Sequence, residues 1–190
     1  MLLMKDIIDE YNPHIRVVCD EVPFPLSAEN KKVIDDLLEY IVNSNDEEIA
    51  EKYDLRESVG IAAPQIDVPL RMCAVHTEDE NGKMHSYQFI NPRIISHSEE
   101  RAYLKGGEGC LSVNREVEGV VPRYARVTIE YTDVDGKQQT VRLRNYVAIV
   151  AQHELDHLDG VLFFDHIRQD QLHHVPGAKE IDLGGAIDTE

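Results

Sequence analysis

Positive charge, cysteine and long apolar runs are all scarce in this chain. Lys and Arg number 19 against 36 Asp and Glu, a formal net charge of −17. A broad nucleic-acid-binding face needs clustered cations, so no direct nucleic-acid binding is expected. The three cysteines, Cys19, Cys73 and Cys110, make no CxxC pair and no even set, which removes a disulfide framework from consideration. Cys19 and Cys73 read as small buried apolar residues. No apolar stretch reaches the ~18 residues of a membrane span, and no membrane association is expected. The start, MLLMKDIIDEY, meets Lys5 and Asp6 too early for the apolar core of a signal peptide. A cytoplasmic location is the resulting expectation. Internal repeats are also lacking.

What is present suits one catalytic domain over 1–190. The chain has 190 residues, 42% of them hydrophobic and 29% charged, enough for a sizeable core. PLSAENKKVIDDLLEYIVNS predicts an amphipathic helix with Ser27 as N-cap. Val33, Ile34, Leu37, Leu38, Ile41 and Val42 form its apolar stripe. NDEEIAEKYDL reads as a short acidic helix. RMCAVHT, SYQFINPRIISHS, ARVTIEYTDV and KQQTVRLR carry the β-branched and aromatic residues of strands, with an Asp135-Gly136 turn between the last two. NYVAIVAQHELDHL returns to helical character and stops at Gly160. The fold class is therefore α+β, with mostly antiparallel strands packed around a central helix. Residues from about 169 to 190, with Pro176, Gly177, Gly184 and Gly185, read as a partly irregular tail.

HELDH, His153 to His157, lies on that central helix. The two histidines are one turn apart and share a face, so both can reach one ion. Glu154 is offset by about 100 degrees and can reach a water on the ion instead. Two histidines need a third partner. A metzincin would continue HExxHxxGxxH; Gly160 falls on schedule, but Phe163 occupies the third ligand position and His166 comes three residues late. A thermolysin-like site would need a downstream Glu, and before the last residue only Glu180 follows, in a Gly/Pro-flanked tail. The better candidate is Cys110, in the Gly-rich stretch GGEGCLSVN. A thiolate beside a divalent metal is deprotonated and binds strongly. Cys110, His153 and His157 would leave a fourth position open, the arrangement of a catalytic site. Tyr146 and Val150 share the helix face of His153 and His157. They would form an apolar wall, with Val59 opposite. Two alternatives remain at this point: an HExxH peptidase with another third ligand, and a non-catalytic metal-stabilised binding module.

EGCLS together with HELDH resembles peptide deformylase, and SVGIAAPQI, Ser58 to Ile66, resembles that family's glycine-alanine-proline-glutamine motif. The three blocks stand in the family's order. VNSNDEEIAEKYDLRE resembles the insertion of the longer class found in Gram-positive bacteria. The resemblance implies a metal-dependent hydrolase that removes the formyl group from N-terminal formyl-methionine of new polypeptides and releases formate. It implies Glu154 as general base and acid, and the Gln65 amide and Leu111 backbone N–H as oxyanion donors. It implies iron(II) as the native metal, with zinc, nickel or cobalt as replacements. Gly60 and its neighbours in 58–60, with 106–107, would pair with the substrate backbone as an added strand. Ser58 departs from the glycine usual at that position, leaving fine substrate positioning open. Glu108 is a candidate ion-pair partner of Arg123, steadying the Cys110 loop. The partners implied are N-formyl-methionyl nascent peptides and transient proximity to the ribosome. Residues 168–190 set Arg168 and Lys179 against five carboxylates. Removing 176–190 is accordingly expected to leave deformylation and any ribosome affinity nearly unchanged.

Overall fold

The computed structural model describes residues 1–184. Two helices open the chain: α1 over Ala28–Ser44 and α2 over Glu47–Tyr53. The Ser27 hydroxyl accepts from Asn30 N–H at 3.1 Å, capping an otherwise unpaired donor at the start of α1. Ile34, Leu37, Tyr40 and Ile41 are fully buried on α1. Val42 is 45% exposed, so the stripe is rotated toward Tyr40 relative to the expectation. Asp46 caps α2 in the same way as Ser27 caps α1.

Eight strands follow among the described residues. β1 (Gly60–Ala62), β2 (Met72–Glu78), β3 (Met84–His97), β6 (Arg126–Thr132) and β7 (Gln138–Arg144) make a five-stranded sheet in the order β1-β2-β3-β6-β7. Every pairing in it is antiparallel. β4 (Arg101–Leu104), β5 (Arg123–Tyr124) and β8 (Lys179–Ile181) make a second sheet, in which β8 runs parallel to β4. The turn at Asp135-Gly136 closes the β6–β7 hairpin, with Gly136 at φ 80°.

The period-2 alternation of β2 explains how the sheet is covered on both faces. Cys73 and Val75 point to a core shared with the third helix, α3 (Asn145–Leu158), while Met72 and Ala74 point to the core under α1. α3 is also covered from the small sheet, where Ala102 and Ala125 pack on Ile149. A helix enclosed from both sides by sheets needs apolar residues nearly all round, as VAIVA supplies. Ionisable groups on its buried surface are costly without partners. No helix among the described residues is long and apolar enough to cross a membrane.

Within the partly irregular tail, two short elements stand among the described residues. A short 3-10 turn at Gln169–Gln171 is followed by β8, so residues 179–181 are strand. The cause is tertiary. Lys105 N–H donates to Ile181 C=O at 2.9 Å, and Tyr103 hydroxyl donates to Glu180 at 3.0 Å. Neither partner has a local pattern in the sequence. The rest of the tail, 185–190, lies outside the described residues.

Candidate metal centre

Three segments converge at one end of α3. The helix supplies His153, Glu154 and His157; the loop between β4 and β5 supplies Cys110; the 3-10 turn Ala63–Ile66 after β1 supplies Gln65. One ligand atom each from Cys110, His153 and His157 lie within 4.8 Å of one another. Cys110 Sγ stands 3.4 Å from His157 Nε2. Cys110 is 8% exposed and His157 1%. His153 turns Nδ1 to Glu108 Oε1 at 2.8 Å, leaving Nε2 for the cluster.

The electrostatics match a cation at this place. Burial alone would raise the Cys110 thiol, but His157 and His153 outweigh it and hold it well below the ordinary thiol range. Burial would lower His153, but its contacts with Cys110 and Glu108 raise it well above an ordinary imidazole. The two shifts are opposite and arise from one another, so the pocket favours positive charge beside the Cys110 sulfur, which a metal ion supplies in place of the imidazole's proton. A thiolate and two imidazoles are the soft and borderline donors that suit zinc, iron, nickel or cobalt, and the residues fit such an ion.

Glu154 is 4% exposed, and its Oε2 has no hydrogen-bond partner among the described residues. Burial pushes its carboxyl up to about 7, opposed only in part by His153 and His157. Its side chain lies directly over Gly60, where an added Cβ would stand 2.5 Å from Oε1. Gln65 is fixed by its own turn: Oε1 accepts from Ala62 N–H at 2.9 Å, which aims Nε2 at Cys110 Sγ (3.5 Å) and Ser112 Oγ (3.2 Å).

Charged and polar neighbours hold the loop of Cys110. Arg123 donates to both oxygens of Glu108, at 2.7 and 2.9 Å, and to Asp156 at 2.9 Å, with its own side chain 3% exposed. Arg123 and His153 overcome the burial of Glu108 and depress its carboxyl to about 2. The Glu108–Arg123 pair therefore also orients the His153 imidazole. Ser58 has no left-handed φ; its hydroxyl donates to Gly60 C=O at 2.6 Å, and its N–H donates to Ser44 Oγ at 3.2 Å. The departure from glycine is thus built into a tie between α1 and β1.

A cavity of about 270 Å³ opens beside the cluster. Val59, Gly60, Gln65, Leu111, Tyr146, Val150, His153 and Glu154 all line it, as does Cys110, while His157 lies deeper. Sequence reasoning missed three apolar lining residues, Leu104, Ile149 and Leu183. Ile149 had a usable signal, because it precedes His153 by four on the same helix. Also missed was Arg56, which donates to the carbonyls of Cys110 and Leu111, each at 3.2 Å. A single arginine in a loop carries no pattern that would have found it.

A family profile described as Polypeptide deformylase matches residues 4–173. Peptide deformylase 2 of Bacillus cereus is 51% identical over 176 residues, 93% of this chain and 96% of that protein. A peptide deformylase of Listeria monocytogenes is 50% identical over 185 residues, 97% of this chain and 100% of that protein. Among solved structures, a Met-Ala-Ser-bound class I type b peptide deformylase from Acinetobacter baumannii is similar with a TM-score of 0.68 at 26% identity. The likeness covers 85% of this chain and 96% of that one.

Proposed function

Because this chain belongs to the polypeptide deformylase family, we propose that Cys110, His153 and His157 hold its metal and that Glu154 moves the protons of the reaction. The enzyme is a hydrolase that removes the formyl group from formyl-methionine at the N-terminus of new polypeptides. A divalent metal on these donors supplies an acidified water and polarises the formyl oxygen. Glu154 takes a proton from the attacking water as its oxygen bonds to the formyl carbon, and returns it to the amine nitrogen as the carbon–nitrogen bond breaks. The Gln65 Nε2 and the Leu111 backbone N–H donate to the formyl oxygen as it becomes negative; losing one such donor costs about 10²–10³ in rate. Val59, Tyr146 and Val150 receive the methionine side chain, and Gly60 brings the backbone of β1 close enough to align the peptide. The peptide bound to the Acinetobacter baumannii relative supports this class of ligand.

Iron(II) is the native metal in this reading, with zinc, nickel or cobalt able to occupy the same donors. Residues 1–190 act as one catalytic domain in the cytoplasm, meeting nascent chains near the ribosome without direct RNA contact. The net charge of −17 supports that last point.

One observation carries the assignment of roles: an unpartnered, buried carboxylate, Glu154, beside the Cys110–His153–His157 cluster. The test is formate release from formyl-Met-Ala-Ser by anaerobically prepared protein. Glu154→Gln should keep the metal and lose about 10²–10⁴ in kcat. Retained activity in that variant would remove Glu154 from its role. Cleavage of internal peptide bonds would point to the peptidase alternative.

A further inference from the structure

The loop that carries Cys110 lines the substrate cavity but brings no apolar side chain to it before Cys110. The loop reads KGGEG from Lys105 to Gly109, and a Cβ on Gly106 or Gly109 would meet nothing within 4 Å. Glu108 lines the cavity with its carboxylate tied to Arg123 and His153. The added apolar surface comes from Leu104 and, at 79 residues' remove, from Leu183.

Leu183 is delivered by an anchored segment. β8 pairs Glu180 with Tyr103 and Ile181 with Leu104. Ile181 packs against Ala102, Ala125 and Ile149, the last of these on α3 itself. Asp182 then pairs with Lys105 Nζ at 3.0 Å and accepts from Gly184 N–H at 3.0 Å, a local turn that sets how Leu183 leaves the anchored strand. Despite this anchoring, the Leu183 side chain is 56% exposed. It lines the cavity at the metal cluster and also the groove that continues outward, together with Val59 and Tyr146 in both. An apolar side chain fixed half-open at a cavity mouth gains burial when the cavity fills.

We propose that Leu183 is a specificity-determining residue of the substrate cavity, closing its mouth over the methionine side chain opposite Val59 and Tyr146. The inference rests on the reading that methionine enters between Val59, Tyr146 and Val150. It runs against the expectation that removing residues 176–190 leaves deformylation nearly unchanged, and the truncation below decides between the two.

The experiment compares formyl-Met-Ala-Ser with formyl-Ala-Ala-Ser on the metal-loaded enzyme. Leu183→Ser should raise KM for the methionine substrate about three- to tenfold, the lower end of what a lost apolar contact costs. The alanine substrate, too short to reach the mouth, should shift less than about twofold. Leu183→Met should restore the wild-type ratio, and a chain ending at Asp182 should behave like Leu183→Ser. Equal KM shifts on both substrates, or none, would overturn the proposal. So would a loss of metal content and thermal stability with a matching fall in kcat, because Leu183 would then be only a structural strap. Failure of the underlying pocket reading looks different: the wild-type enzyme itself would not prefer formyl-methionine to formyl-alanine.

Discussion

The tightest residue-scale constraint in the site is between Gly60 and Glu154. Glycine is needed there for space, since Gly60 is not among the positive-φ residues. A Cβ would meet Oε1, Cγ and Cδ of Glu154 at 2.5, 2.8 and 2.9 Å. The carboxylate is the flexible partner and must yield, but it is enclosed by protein and has little room. Gly60→Ala should therefore keep the fold and the metal while displacing the Glu154 carboxyl, the proposed proton carrier. A misplacement of about 1 Å can cost on the order of 10²-fold in rate. The measurement is kcat beside metal content; a variant with full metal and near-normal kcat would show that Glu154 works from another position.

At the scale of elements, Arg123 is a three-way clamp. It sits in β5, grips Glu108 of the Cys110 loop, and reaches Asp156 of α3. Removing one partner of a buried pair typically costs about 3–5 kcal/mol, because the other charge is left unpaired. Glu108 also sets a pH window. Its folded value, about 2, lies below the 4.5 of an unperturbed glutamate, so the folded state binds fewer protons than the unfolded one. Its contribution is fully present above pH 4.5 and is lost as pH falls from there through about 2. In metal-free protein, the Tm gap between wild type and Glu108→Gln should be largest near neutrality and should close across that window. A gap independent of pH would mean that shape, not charge, is what the substitution removes.

The same scale shows which elements could be read from sequence. α1 and the β6–β7 hairpin were legible because each has a cap or a turn of its own, and β2 and α3 because each is an apolar run long enough to show its type by composition. β1 is three residues long and buried throughout, so GIA shows no alternation. β4 exists through its pairing with β5 and β8, and β8 through β4 and the Tyr103–Glu180 contact across 77 positions. The site followed the same rule. Cys110, His153 and His157 stand in recognisable motifs, and Gln65 in another. Arg56 and Leu183 are ordinary residues that matter only because distant segments bring them there.

At the scale of the whole molecule, the charge of −17 is an external field acting on every substrate that approaches. The groove continuing from the cavity adds local carboxylates: Glu57, Glu78, Glu80 and Asp182 line it, with Lys105 bonded to Asp182 and Asn145 to Glu80. Glu57 and Glu78 have no ion-pair partner among the described residues. A peptide whose later residues are basic should be drawn in, and an acidic one repelled. Screening shortens this field from about 30 Å at 0.01 M ionic strength to about 3 Å at 1 M. For a formyl-Met peptide with two lysines after the alanine, kcat/KM should fall on the order of threefold or more as salt rises. With two glutamates it should stay flat or rise, because the added ions screen repulsion instead of attraction. The diverging salt slopes separate a field effect from a general salt effect on the chemistry. Parallel slopes for the two peptides would show that the acidic surface plays no part in substrate capture.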